Sequence, residues 1–229
     1  MADFKMEAAK AAIKLIQPGQ TIGLGAGTTI ANLVLLIAAE SGLAGSLTLV
    51  SSSFKTTALM REHGLNVQSI AFTKSPAIYF DGCDQFDREL NALKSGGGIH
   101  TSEKILASMA EEFILLGDAA KFVDRLDATY PLVIEVLPAA LSLVRERLSG
   151  YFQDAKISTR MSDKKDGAAI SDNGNLLLDV YFTQLPALNE LNVLVKMIPG
   201  VVEHSLFYRM AVKGIIAGAE GIKVITPAR

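Results

Sequence analysis

Apolar and polar positions follow two rhythms along this chain, and the change between them falls near Ala128. Before it, short apolar runs alternate with stretches of helical spacing. Ala8, Ala12, Leu15 and Ile16 share one face of a helix predicted from about Asp3 to Ile16, which Pro18-Gly19 ends. Thr21–Leu24 reads as a short buried strand entering a glycine turn, and Thr28 to about Glu40 as a mostly apolar helix. Ser46–Val50 predicts a second strand, leading into Ser51-Ser52-Ser53 and a helix through Arg61. Val67–Ile70 and Ala77–Phe80 read as further strands, followed by a helix over 102–111 and a strand at Phe113–Leu116. Strand and helix in alternation predict a parallel sheet covered on both faces.

After Ala128 the order becomes strand (Leu132–Leu137), helix (Ala139–Leu148), strand (Lys156–Met161), strand (Leu176–Phe182), helix (Pro186–Met197), strand (Val201–Phe207). That is β-α-β-β-α-β, the ferredoxin-like arrangement. The loop between its middle strands, SDKKDGAAISDNGN, is polar and glycine-bearing, as an exposed connection requires. An apolar run at Lys213–Ala219 and a strand around Ile222–Ile225 are placed to rejoin the first sheet. The expected class is therefore α/β: a Rossmann-like parallel-sheet domain from 1–128 and 209–229, with a smaller ferredoxin-like α+β domain from 129–208.

Composition narrows the function classes. Of 229 residues, 49% are apolar, enough to build a large core and to exclude disorder. The net charge of -2 and scattered lysines and arginines argue against a nucleic-acid partner. Cys83 is the sole cysteine, so neither an intrachain disulfide nor a cysteine metal cluster is expected. His63, His100 and His204 have no metal-ligand spacing, and no metal or cofactor is expected. The start MADFKMEAAKAAIKL lacks a signal-peptide run, and the apolar window from Ile30 breaks at Glu40, short of a bilayer span. A soluble cytoplasmic protein with no membrane partner is the expectation.

Candidate chemistry concentrates in two segments. GLGAGTT (23–29) leaves a strand and opens a helix, where backbone N–H groups and the helix dipole favour an anion. Thr28 stands where a dinucleotide fingerprint needs its last glycine, serines rather than an acidic residue follow Val50, and no Gly-Lys-Ser/Thr occurs. What remains is a cradle for one phosphate with Thr28 and Thr29 as hydroxyl donors, or a tight turn with threonine as a helix cap. Asp81-Gly82-Cys83-Asp84 follows the run AIYF, at the carboxyl end of a strand, where open α/β sheets place ligands. Carboxylates that close repel unless a cation or shared proton intervenes, and Lys94 is the available cation. An Asp-Gly surface turn is the plainer alternative. Glu103 falls in the first turn of a helix that Thr101 or Ser102 would cap, where the dipole favours the ionised form a general base needs. Most first-turn glutamates are only structural, but the glycines at 96–98 permit close backbone approach to a ligand.

Taken together, GLGAGTT, VSSS (50–53), DGCDQFD (81–87), LKSGGG (93–98) with Glu103-Lys104, GDAAK (117–121), SDNGNLLLDV (171–180) and IPGVVEHSLF (198–207) resemble ribose-5-phosphate isomerase of the A type, in order and over nearly the whole chain. The resemblance implies a metal-independent aldose–ketose isomerisation of ribose 5-phosphate and ribulose 5-phosphate through a cis-enediolate. It makes Glu103 the base between C2 and C1, gives Asp81 and Asp84 ring opening and hydroxyl proton traffic, and has Lys94 stabilise the enediolate oxygen. Ala26, Gly27, Thr28, Thr29, Lys5 and Lys121 would hold the phosphate, and Gly82, Cys83, Ser95, Gly96 and Gly97 would face the sugar. A homodimer or tetramer is implied. The chain departs from the family's usual Asp-Gly-Ala-Asp-Glu at Cys83 and Gln85, and from its usual glycine at Ser95. Losing the carboxylate at 85 is expected to alter the neighbouring aspartates. A sugar-phosphate-sensing domain without catalysis, or an isomerase of another sugar phosphate, are the competing readings.

Overall fold

The computed structural model describes residues 3–227. The first helix, α1 (Phe4–Ile13), begins where the Asp3 carboxylate accepts from the N–H groups of Lys5 and Met6. It ends one turn earlier than the apolar face extends. β1 (Thr21–Leu24) runs through the glycine turn into α2 (Thr28–Ala39), and a four-residue turn of helix, α3 (Ser41–Ala44), precedes β2 (Thr48–Ser51). Ser53 then caps α4 (Phe54–Glu62) with its side-chain oxygen. The strand expected at Val67–Ile70 is absent: Val67 makes one bridge to Leu49, and Ile70–Phe72 is a 3₁₀ turn. Ser69 diverts that segment by accepting the Ala71 N–H on its side chain.

β3 (Ile78–Asp81) leads to two two-residue strands, β4 (Gln85–Phe86) and β5 (Ala92–Leu93), then α5 (His100–Met109) and β6 (Glu112–Asp118). The second half holds β7 (Leu132–Val136), α6 (Leu141–Tyr151), β8 (Lys156–Thr159), β9 (Leu176–Tyr181), α7 (Leu188–Lys196), β10 (Val201–His204) and β11 (Leu206–Phe207). The chain closes with β12 (Lys213–Gly218) and β13 (Gly221–Ile225).

A six-stranded sheet has the order β13-β12-β6-β3-β1-β2, parallel throughout except for the β12–β13 hairpin at its edge. Every residue of β3 is buried, as the continuous apolar run of a doubly covered parallel strand requires. α1 and α2 pack Ala9, Ala12, Ile30, Leu33 and Ile37 against one face. Tyr79, Leu106, Phe113 and Phe207 fill the other. The second sheet is antiparallel with order β10-β7-β9-β8, the strand order of the ferredoxin-like arrangement. α6 and α7 cover it through Val144, Leu148, Leu191 and Val195.

The two sheets are sewn together by a third, the ribbon β11-β5-β4. The predicted strand Val201–Phe207 is therefore two strands that change sheets at Ser205. The Ser205 N–H donates to Val133 O (2.8 Å), its Oγ accepts the Val133 N–H (2.9 Å), and its carbonyl accepts the Lys94 N–H (3.0 Å). One fully buried serine thus fixes β7 on one side and the segment carrying Lys94 on the other.

A second tie is polar and buried. Glu135 on β7 has no exposed surface, and its carboxylate accepts from Ser171 Oγ (2.7 Å), Asn175 Nδ2 (2.8 Å), Asn173 Nδ2 (3.1 Å) and the Thr101 hydroxyl of α5. Burial alone would raise its pKa, but these donors together hold it below the usual carboxylate range. Glu135→Ala strands several buried donors at once. It should lower the urea midpoint at constant m-value by at least about 2 kcal/mol of stability, the low end for two unsatisfied groups. An unchanged midpoint would show that the network contributes nothing to α5 docking.

Candidate active site

Asp81 ends β3 and is fully buried. Its Oδ1 accepts the backbone N–H groups of Gly82 (2.7 Å) and Ala26 (3.1 Å), and its Oδ2 accepts the Tyr79 hydroxyl (2.5 Å). The turn after β1 comes this close only because position 25 is glycine: a Cβ there would stand 1.9 Å from Asp81 Cγ. Burial first, then the Asp81 and Glu103 charges, keep the Tyr79 phenol neutral well above its ordinary pKa, so it remains a donor.

Lys94, delivered by β5 and 7% exposed, fills the remaining side of Asp81. Its Nζ lies 2.8 Å from Asp81 Oδ2 and 3.2 Å from Glu103 Oε1, and also donates to the Gly82 carbonyl. Burial favours the neutral amine, yet the two carboxylates hold the ammonium above its usual pKa. Glu103, 5% exposed, comes from the first turn of α5. Desolvation pushes its carboxyl up to about 8, against the pull of Lys94 and with the help of the Asp81 charge. The start of a helix favours the ionised form of this glutamate, and burial works against it. One cation thus serves both carboxylates, and burial raises the affinity of Glu103 for a proton. The expected cap is also absent: Ile99 is the N-cap, and Thr101 is turned towards Glu135 instead.

Asp84 stands on the other side of the opening. Its Oδ2 accepts the N–H groups of Ser95 (2.6 Å) and Gly96 (2.9 Å). Ser95 Oγ donates to Pro131 O (2.6 Å), so the serine that replaces the family's glycine points away from the opening. Cys83 is 6% exposed, and burial pushes its thiol up to about 12, which leaves it unreactive at neutral pH. Lys121 Nζ donates to the Cys83 carbonyl (2.6 Å).

A cavity of about 260 Å³ opens among these groups, lined by Ala26, Gly27, Gly82, Cys83, Asp84, Lys94, Gly96, Gly97, Glu103 and Lys121. Asp81 and Ser95 support this wall from behind and do not line it. Thr28 lines a neighbouring cavity with Lys55, Thr29 lines neither of the two, and exposed Lys5 on α1 is also outside the 260 Å³ cavity. Gly27, with φ of 97°, is the N-cap of α2 and carries no side-chain cap, so neither threonine caps the helix. The Ala26 N–H is already committed to Asp81, which leaves the first N–H groups of α2 as the anion donors of this turn.

Several supports carry no recognisable signal in the sequence. Tyr79 and Ser52 (3.1 Å apart through their hydroxyls) orient Asp81, and Arg160 of β8's C-terminal end reaches the glycine loop. The Tyr79 contact is readable only in retrospect, from the position two residues before Asp81 on the same strand face. Gln85, where the family's usual carboxylate is missing, is turned to a different partner. Its amide exchanges two bonds with Asp127, Nε2 to Oδ1 (2.8 Å) and Oε1 from the backbone N–H (3.0 Å), and it does not reach the cavity.

A family model for ribose 5-phosphate isomerase A (phosphoriboisomerase A) matches residues 48–221. Ribose-5-phosphate isomerase A of Thermosynechococcus vestitus is 36% identical over 209 residues, covering 90% of this chain and 88% of that one. The solved ribose 5-phosphate isomerase A of Methanocaldococcus jannaschii superposes with a TM-score of 0.90 at 32% identity, covering 98% of each chain. A D-ribose-5-phosphate isomerase solved in complex with phospho-erythronic acid superposes with a TM-score of 0.91 at 34% identity, again over 98% of each. In sequence and in fold alike, this chain belongs to the ribose 5-phosphate isomerase A family.

Proposed function

We propose that this protein interconverts D-ribose 5-phosphate and D-ribulose 5-phosphate through an enediolate, as a step of the non-oxidative pentose phosphate pathway. The observation that carries the reading is the bridge of Lys94 between Asp81 and Glu103 at the floor of a sugar-sized cavity. Aldose–ketose isomerisation needs a base for a carbon-bound proton and an electrophile for the oxygen that becomes negative. Glu103 and Lys94 supply that pair within 3.2 Å of each other.

In this mechanism the ionised Glu103 takes the proton from C2 of the open-chain aldose and returns it to C1. Lys94 stabilises the enediolate oxygen, its ammonium held in place by Asp81. Of the two aspartates, only Asp84 faces the cavity, and both N–H bonds fall on its Oδ2. It is therefore the group for ring opening and for moving protons between the substrate hydroxyls. Asp81 acts as the fixed anion behind Lys94. The phosphate sits at the N-terminus of α2 with Lys121 at its flank. The likeness to a relative solved with phospho-erythronic acid, an open-chain phosphorylated acid, supports that class of ligand. The protein acts in the cytoplasm as a homodimer or tetramer. Exposed apolar side chains on the helical layer of the second sheet, Leu143, Val193 and Met197 among them, are consistent with association. Among the described residues no helix is long and apolar enough to cross a membrane.

Purified protein incubated with ribose 5-phosphate should form ketose. Glu103→Gln keeps the shape of the side chain but removes the base, so kcat should fall at least ~100-fold, the low end for general-base catalysis. Phospho-erythronic acid binding should survive, and solvent deuterium exchange at the reacting carbon should disappear. Near wild-type turnover in this variant would move the base elsewhere.

The raised pKa of Glu103 has a kinetic consequence. Because its pKa is raised and the reactive form is the carboxylate, kcat/KM should climb as pH rises from 6, pass its half-maximal value near about 8 and level off only above that. An acid limb in the range of an exposed carboxylate would contradict the raised pKa of the buried Glu103.

Anchoring through phosphate predicts a large penalty for its removal, since binding energy remote from the reacting carbons assists the chemical step. Ribose should show a kcat/KM far below that of ribose 5-phosphate. Equal values would refute an anion site at the start of α2.

A further inference from the structure

The loop 95–98 contains three successive glycines, the residues that lose most conformational freedom on ordering. Two of them line the cavity, and the loop's N–H groups aim Asp84. Something outside the loop must hold it. Arg160, in the residue after β8, donates from Nη2 to Ser95 O (2.8 Å) and from Nη1 to Gly96 O (3.1 Å). Its other side is clamped by Asp179 of β9, with Nη2 to Oδ1 at 2.6 Å and Nε to Oδ1 and Oδ2 at 3.0 and 3.1 Å. The Arg160 and Asp179 side chains are 20% and 11% exposed, so this pair is shielded from most solvent screening.

The geometry has a specific consequence. Ser95 O and the Gly96 N–H belong to the same planar peptide group. The guanidinium binds its carbonyl end while Asp84 accepts from its N–H end. A cation on the carbonyl polarises the peptide and strengthens donation to the carboxylate, and the rigid guanidinium fork fixes two successive carbonyls at once. The result is an unbroken chain, Asp179 to Arg160 to the Ser95–Gly96 peptide to Asp84, running from the second sheet into the active site.

We propose that Arg160 is a positioning residue that acts through the Ser95–Gly96 peptide to aim Asp84 at the substrate hydroxyls. The proposal rests on the proton-transfer role given to Asp84 above. Arg160 does not line the cavity, and four of its five N–H donors go to Asp179 and the loop carbonyls.

The test is a double-mutant cycle on ribose 5-phosphate isomerisation with wild type, Asp84→Asn, Arg160→Ala and the double variant, each checked for an intact thermal melt. Arg160→Ala should lower kcat about 10- to 100-fold, the penalty of a misplaced reacting group, with KM little changed. If Arg160 acts through Asp84, the double variant is no slower than Asp84→Asn alone. Millimolar guanidinium should restore part of the Arg160→Ala rate. Additive losses, or wild-type kcat in a folded Arg160→Ala, would overturn the proposal. Should Arg160→Ala fail to fold, Arg160→Lys carries the same cycle, because one ammonium cannot span both carbonyls and Asp179. A wild-type rate in Asp84→Asn, or a wild type inactive on ribose 5-phosphate, would sink the functional roles instead. The strap is then read by amide exchange at Ser95 and Gly96, which must quicken in the Arg160 variant; unchanged exchange overturns it.

Discussion

Everything in the active site follows from placing one ammonium between two buried carboxylates. Lys94 cannot neutralise both Asp81 and Glu103, and burying an uncompensated carboxylate costs several kcal/mol. The site resolves the deficit by environment. Asp81 receives three further donors, whereas Glu103 meets Lys94 and Asp81 in a dry surrounding that raises its pKa. Two carboxylates on one ammonium thereby come to differ in their surroundings, with no difference in side-chain chemistry beyond one methylene.

That division works only if α5 and the 94–98 segment are held relative to β3, and the smaller sheet supplies the grip. Glu135 binds Thr101 two residues before Glu103. Lys104, the next residue after Glu103, reaches Glu203 (2.9 Å) and the His204 carbonyl (2.6 Å) on the neighbouring strand β10. Ser205 holds the backbone of Lys94, and Arg160 holds the loop beyond it. The second sheet contributes no residue to the cavity wall, yet it touches the segment on each side of the two central side chains.

The parallel sheet and the ferredoxin-like order were legible because each strand longer than three residues carries an apolar run or alternation bounded by glycine, proline or polar residues. The failures have a common cause. β4, β5 and β11 are two residues each and form no period, so their pairing is decided by tertiary contacts alone. Val67–Ile70 has the composition of a strand but lost to the local competition of Ser69 with the backbone. The central carboxylates and Lys94 were readable from spacing and resemblance. That Asp81 lies behind Lys94, outside the cavity wall, was not, because burial of a strand-end side chain depends on the turn at Gly25 coming across it. The ties from Tyr79, Arg160 and Glu135 join residues as much as 65 positions apart, a distance at which pattern has nothing to say.

The reciprocal bonding of Gln85 and Asp127 gives the departure at position 85 a different meaning from a lost charge. A glutamate at 85 would set a second anion against the Asp127 carboxylate, where the amide now donates at 2.8 Å. An asparagine or glycine at 127 would relieve it. The two positions, 42 residues apart, are therefore coupled by their bonding and stand outside the cavity. A glutamate at 85 is accommodated where residue 127 is not acidic, and exchanging amide for acid across this pair leaves the cavity wall untouched.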